Sequence, residues 1–232
     1  MAPADFPAWL HTLSITSLCL AAVCAVFVAV DECRNPQRMW IMNVVWPATA
    51  SFGTLGVLWL YFRYGRAAAG RDTPFAVSVA TGALHCGSGC VLGDLLAESL
   101  LLAFPAAAVW FGWHSLFDHR MFAGWVLDYL FAYALGIAFQ YFAIIPIQEL
   151  TPARGLAAAA KADTLSLTAW QIGMYGFMAF AHFYLFATLL GVELRPGTVE
   201  FWFMMQIAML GGFVTAYPVN WWLIRRGIKG AM

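Results

Sequence analysis

Runs of apolar residues, each long enough to cross a bilayer, follow one another along most of the chain. A hydrocarbon core about 30 Å thick needs roughly 20 residues of α-helix at a rise of about 1.5 Å per residue. Such runs cover residues 7–30, 40–62, 74–104, 121–147, 164–190 and 199–224. The pattern predicts an all-α, polytopic transmembrane helical bundle, with residues 1–232 forming a single integral membrane domain.

The stretch from residue 75 to residue 113 leaves the number of crossings open at six or seven, because it is too long for one span and could form two. Six spans with both termini in the cytoplasm put eight of the twelve basic residues on the cytoplasmic side. Seven spans would separate the arginine-rich segment 63–71 from the basic C-terminal segment. Because basic residues concentrate in cytoplasmic loops, we expect six spans and cytoplasmic termini.

Composition agrees with a membrane protein, since 62% of the residues are hydrophobic and only 10% are charged. A soluble domain normally carries about 25% charged residues. The formal net charge of zero gives no reason to expect a nucleic acid partner. The lipid bilayer is the expected partner, and a homo-oligomer or a subunit of a membrane complex stays open.

One apolar run carries a stripe of polar residues. Cys86, Cys90, Asp94 and Glu98 recur at every fourth position, and His85 precedes the first of them. This spacing aligns the four side chains along one face of a helix. Glycines flank the stripe, and small residues allow neighbouring helices to approach closely. Because intramembrane carboxyl groups are costly when they face lipid, we expect the other helices to enclose the stripe.

The thiols and imidazoles indicate a soft metal ion. Thiolate, thioether and imidazole ligands suit copper(I), and a second span repeats the four-residue spacing with Met174, Met178 and His182. Packing is the alternative interpretation, because buried cysteine and methionine often only fill space. A disulfide between Cys86 and Cys90 is also open. The predicted metal ligands are His85, Cys86, Cys90, Met174, Met178 and His182.

The carboxyl groups are candidates for proton transfer or for compensation of an ion's charge. Asp94 and Glu98 continue the stripe, and Asp128 is a further acid within a predicted span. Hydrogen bonding to another helix is the alternative for Asp128. Asp163 precedes the predicted span 164–190 and is expected to cap its N-terminus.

Four linked motifs resemble those of a bacterial membrane family, domain-of-unknown-function family 4396. They are the segments 85–98, 136–141, 161–166 and 217–222. The resemblance implies a small multi-span membrane protein, and the family's association with copper-handling genes agrees with a copper site. It adds Lys161 and Asp163 as a gate or proton-exchange point, and it matches the polar residues Gln140 and Asn220.

These observations predict a protein of the bacterial inner membrane that transports or handles a soft metal ion, with copper(I) as the ion. One alternative is a membrane redox enzyme that uses the Cys86 and Cys90 dithiol or a bound metal. Another is a structural subunit of a membrane complex. Motifs for nucleotide hydrolysis, zinc-dependent proteolysis and dinucleotide binding are missing from the sequence, which argues against an enzyme of those kinds.

Overall fold

A computed structural model describes residues 6–66, 73–148 and 151–230. Helices account for most of this part of the chain. In order they are α1 (Ala8–Arg34), α2 (Met42–Leu60, continued by a π-helical segment Tyr61–Gly65), α3 (Phe75–Ala103), α4 (Ala107–Trp110), α5 (Arg120–Gln148), α6 (Pro152–Ala179, continued by a π-helical segment Phe180–Leu190) and α7 (Val199–Arg225).

Six helical segments of the described chain are long and apolar enough to cross a membrane, which confirms the predicted all-α polytopic bundle. The ambiguous stretch 75–113 contributes only one of these segments, α3. α3 stops before Pro105, and the four-residue α4 is too short to span a bilayer.

α6 begins earlier than the sequence pattern predicted. It starts at Pro152, whose missing N–H costs nothing in the first turn, and continues through an alanine-rich segment that favours helix. Asp163 therefore lies inside α6, and the prediction that it caps a helix beginning at Thr164 was wrong. The helical segment ends at Gly191, which adopts the left-handed conformation with φ +65°.

α2 does not run straight through the bundle. Thr54 has φ 43° and ψ −124°, which is far from helical geometry and separates residues 42–53 from residues 55–65. The two halves fold back on each other, because the ring centroids of Trp46 and Tyr61 are 5.6 Å apart. A Cβ on Gly65 would lie 2.3 Å from the Trp46 ring. α2 is therefore a helical hairpin whose two ends lie at the same end of the bundle.

Polar contacts hold the returning half of the hairpin against the end of α1. Asp31 accepts hydrogen bonds from Arg66 Nε and Nη2, both at 3.0 Å, and from the Tyr61 hydroxyl at 2.7 Å. Gln37 Nε2 donates to the Gly65 carbonyl at 3.0 Å. Two-point guanidinium–carboxylate contacts define orientation as well as distance, so this group orients the end of the hairpin against α1.

Because α2 turns back instead of crossing the bundle, every later helix runs in the direction opposite to the one that a complete crossing would give it. α1 and α7 run parallel, since His11 contacts Glu200 and Ser17 contacts Gln206, with the same sequence separation. The first and last described residues consequently lie at opposite ends of the bundle. The prediction that both termini share the cytoplasmic side does not fit this fold, because it assumed that the second apolar run crosses completely.

Basic residues are concentrated at one end of the bundle. This "basic end" holds the end of α1, both ends of α2, the beginnings of α3 and α6, and the end of α7. Of the eleven lysines and arginines in the described chain, the opposite end holds Arg120 and Arg195, and the basic end holds the other nine: Arg34, Arg38, Arg63, Arg66, Arg154, Lys161, Arg225, Arg226 and Lys229.

α3 occupies the centre of the bundle. Every residue from 81 to 91 is buried, and α3 contacts α2, α5, α6 and α7. This is the enclosure that the polar stripe requires in a bilayer, where a carboxyl group facing lipid costs several kcal/mol.

The hairpin predicts that peptide tags at the two termini of the chain will be accessible from opposite sides of the membrane. A third tag, inserted between Arg66 and Thr73, is expected on the same side as the C-terminal tag. Protease protection in sealed vesicles measures all three. Accessibility of both terminal tags from one side would contradict the hairpin.

Candidate functional site

Glycines bring α3 and α5 into backbone contact. A Cβ on Gly89 would lie 2.9 Å from the backbone of Gly136, and one on Gly93 would lie 2.5 Å from the backbone nitrogen of Ala132. Larger residues at either glycine would force the helices apart. The close approach expected from the small residues of α3 is therefore present.

The same contacts define an antiparallel register that gathers three carboxyl groups. Gly89 meets Gly136, Gly93 meets Ala132, and Leu101 meets Gly124. Asp128 then lies opposite Ala97, between the levels of Asp94 and Glu98. All three acids are buried, as the sequence predicted for intramembrane carboxyl groups.

Two of these carboxyl groups have no hydrogen-bond partner in the described part of the chain. Among the described residues, neither oxygen of Asp94 and neither oxygen of Asp128 is bonded to the protein. The hydrogen bond to another helix that was considered for Asp128 is therefore not seen in this part of the chain. Buried polar groups are normally hydrogen-bonded, so this pair of acids is a candidate functional site.

The thiols lie deeper along α3. Cys86 and Cys90 are fully buried, and neither forms a disulfide in the structure. Both belong to the main buried core, which also contains Met174 and Met178. His85 is equally buried, with its ring 6.4 Å from that of Phe139, and neither ring nitrogen has a partner among the described residues.

His182 lies apart from the thiols. It lines a cavity of about 1010 Å³ at the end of the bundle opposite the basic end. Glu98, His119, Arg120 and Met178 line the same cavity. Glu98 is eight residues from Cys90, or about 12 Å along α3. The structure therefore divides the predicted ligands between a core group and a cavity group, with Met178 contributing to both.

No three histidine, cysteine, aspartate or glutamate side chains within the described ranges are grouped so as to hold one metal ion. Methionine is not among those residue types, so a soft-ligand site would depend on thioethers. Cys86, Cys90, Met174 and Met178 are the predicted ligands that share the core, whereas His182 belongs to the cavity.

At the basic end, Asp163 forms a buried ion pair that the sequence did not reveal. Lys229 Nζ donates to Asp163 Oδ1 at 2.8 Å and to the Gly82 carbonyl at 3.3 Å, and both charged side chains are completely buried. Gly227, with φ +67°, turns the chain after α7 so that Lys229 points back into the bundle. Lys161, the predicted companion of Asp163, is exposed.

Lys229 is the site residue that sequence reasoning missed, because it stands among basic residues that look like interfacial anchors. The only signal was the glycine two residues before it, which permits a turn with positive φ. Asn220 also belongs to this end of the site, since its Nδ2 donates to Ser166 Oγ at 2.6 Å. Gln140 is buried, and its Oε1 has no partner among the described residues.

Together these groups form what we call the polar file of α3. It runs from the cavity through the acids and thiols to the ion pair. Its members are Glu98, Asp128, Asp94, Cys90, Cys86, His85 and the Asp163–Lys229 pair.

Comparison with known proteins identifies a family but no function. The sequence model of DUF4396, a domain of unknown function, matches residues 77–229. The match covers α3 to α7 and every member of the polar file. No curated protein and no solved structure matches the chain.

The buried ion pair predicts a large effect of removing one partner. Lys229→Met leaves the Asp163 carboxylate buried without its cation, so we expect a loss of about 3–5 kcal/mol in the free energy of unfolding. Combining it with Asp163→Leu should recover most of the loss. Unfolding in mixed detergent measures both variants, with Arg226→Met, at an exposed position, as control. A loss equal to that of the control would contradict the pairing.

Proposed function

The chain belongs to the DUF4396 family, and from the geometry of its polar file we propose that it transports a cation across the membrane. The observation that carries the proposal is the set of three buried acids, of which Glu98 lines the large cavity and the other two lack a protein partner within the described chain. A buried, unpaired carboxylate is unfavourable, so these groups need a proton, water or a cation.

The proposed path follows the order of groups along the file. A cation enters the cavity at Glu98. Arg120 lines the same cavity, and its guanidinium caps the end of α3 by donating a hydrogen bond to the Leu101 carbonyl at 2.6 Å. It passes the level of Asp94 and Asp128 and then the thiols. The Asp163–Lys229 pair closes the far end, because Lys229 bonds both to α3 and to α6.

The cargo that we propose is copper(I). Two thiols and two thioethers in one buried core are ligands that favour a soft monovalent ion over hard cations. In this scheme Asp94, Glu98 and Asp128 relay protons or compensate the ion's charge, as the sequence suggested. Copper is the substrate here, so it does not need a permanent site.

The orientation that we propose puts the basic end in the cytoplasm of a bacterial inner membrane. Nine of the eleven described basic residues lie at this end, and the positive-inside rule then assigns it to the cytoplasm. The N-terminus and the large cavity would face the opposite compartment.

The two alternatives have less support. A dithiol enzyme must expose its cysteines to a redox partner, whereas Cys86 and Cys90 are both fully buried. A purely structural subunit gives no reason for unpaired acids in its centre. Reversible oxidation of Cys86 with Cys90 during turnover would favour the former, and a stoichiometric partner without bound metal would favour the latter.

The cargo assignment predicts that purified protein binds copper(I) and that binding is lost in the Cys86→Ser, Cys90→Ser double variant. The matched control is Cys19→Ser, Cys33→Ser, which removes two exposed thiols and should retain the copper. Metal content is measured by mass spectrometry after anaerobic loading. Equal copper in both double variants would overturn the assignment to the core thiols.

The path predicts that Asp94→Asn and Asp128→Asn will each slow cation flux into proteoliposomes. Loss of one hydrogen bond to a charged group costs about 1.5–3 kcal/mol, which corresponds to a decrease in transport rate of about tenfold or more. Asp118→Asn, at an exposed position, is the control. Flux is followed with internal dyes for copper(I) and for protons, so that the two cations are distinguished. Unchanged flux of both in the two variants would contradict the path.

A further inference from the structure

A second cavity, smaller than the first, lies at the turn of the α2 hairpin. Its volume is about 300 Å³, and α1, α2, α3 and α7 all contribute to its walls. Ser51 and Phe52 line it from the turn of the hairpin, and Asp94 lines it from α3. This cavity could not be predicted from the sequence, because it depends on the reversal at Thr54.

Asp94 is the polar group of this cavity whose hydrogen-bonding capacity is unused within the described chain. It is 1% exposed, and neither carboxyl oxygen has a hydrogen-bond partner among the residues that the structure describes. Gln206, by contrast, is already engaged, because it accepts from Ser17 Oγ at 2.7 Å and its Nε2 contacts the Ser51 carbonyl at 3.4 Å. The Ser51 hydroxyl donates to the Ala48 carbonyl at 2.6 Å. The cavity therefore offers a carboxyl group that accepts hydrogen bonds and that carries a negative charge when it gives up its proton to pair with a cation.

The hairpin turn adds to the preference for positive charge. The first half of α2 ends at this turn, and the last carbonyls of a helix lack intrahelical partners and carry partial negative charge. The break at Thr54 puts these carbonyls in the interior of the bundle rather than at its surface. An anion would be repelled by both the carboxylate and the helix end, whereas a cation is attracted by both.

The size and the walls of the cavity favour an organic cation over a metal ion. Its volume is about ten times the share of one water molecule in the liquid, which is far more than a bare ion fills. The remaining walls are largely apolar and include Phe52, Trp202, Met205 and Met209. Such walls would offer a metal ion few oxygen ligands besides those of Asp94, but they suit an apolar body, and aromatic rings attract a nearby ammonium group.

Access to the cavity is from the side of the bundle. Leu95 lines the cavity and is 43% exposed, and Ala22, another lining residue, is also exposed. Both belong to apolar helices whose outer surfaces face lipid. A hydrophobic cation concentrated in the bilayer could therefore reach Asp94 without crossing the polar file.

We infer that this cavity is a binding site for a compact hydrophobic ammonium ion, with its charge on Asp94 and its apolar body against Phe52 and Trp202. The inference concerns binding alone and does not depend on copper or proton transport, although Asp94 belongs to both sites. A protein that transports no cation would not contradict this binding site, and a protein that binds no ammonium probe would not contradict the transport proposal.

The test uses full-length protein in nanodiscs and two probes of the same shape, adamantan-1-ammonium and adamantan-1-ol, with binding measured calorimetrically. We expect saturable binding of the ammonium probe and affinity for the alcohol that is weaker by about tenfold or more, since the alcohol lacks the charge that Asp94 pairs. Empty nanodiscs give the contribution of partition into lipid. Equal affinity for the two probes, or uptake no greater than that of empty nanodiscs, would overturn the inference.

Substitutions test where the charge of the bound ammonium probe lies. Asp94→Asn should reduce the ammonium affinity to that of the alcohol, whereas Asp118→Asn, which removes an exposed carboxyl group outside the cavity lining, should leave it unchanged. Ala21→Leu enlarges a lining residue without altering a charge and should weaken the binding of both probes. Retained ammonium affinity in either Asp94→Asn or Ala21→Leu would contradict the assigned position.

Discussion

The structure depends on the enclosure of polar groups that the bilayer cannot solvate. The buried residues of α3 include two thiols, an imidazole and two carboxyl groups, and lipid offers none of them a hydrogen bond. The four helical segments around α3 supply that enclosure, and glycines bring α5 within backbone contact of it. A bundle that packed less closely would expose the acids to lipid.

The α2 hairpin is the second constraint, because it determines both the topology and the smaller cavity. Irregular backbone inside a membrane is tolerated only where protein or water surrounds it. Here Gln206 contacts the Ser51 carbonyl, and Phe52 packs against Trp170 with ring centroids 5.7 Å apart. The contacts of Asp31 hold the other end. The break in α2 therefore reverses the direction of the chain, makes α1 and α7 run parallel and creates a cavity beside Asp94.

Some site residues could be predicted because their spacing alone aligns them. Cys86, Cys90, Asp94 and Glu98 share one face of any regular helix, and burial follows from the cost of a polar group in lipid. Lys229 could not be predicted, because its role depends on a turn at Gly227 and on α6, which is distant in sequence. His182 likewise shares a spacing with Met174, yet it lies with His119 in the large cavity.

By itself the sequence determined the class of the protein, the apolar segments and the buried stripe, since these follow from hydrophobicity and helical periodicity. Only the tertiary structure decided that the second apolar segment turns back at Thr54, because length and composition are the same for a hairpin and for a crossing. It also decided the partner of Asp163 and the level of Asp128 against α3. These depend on helix register, which is determined by contacts between residues far apart in the chain.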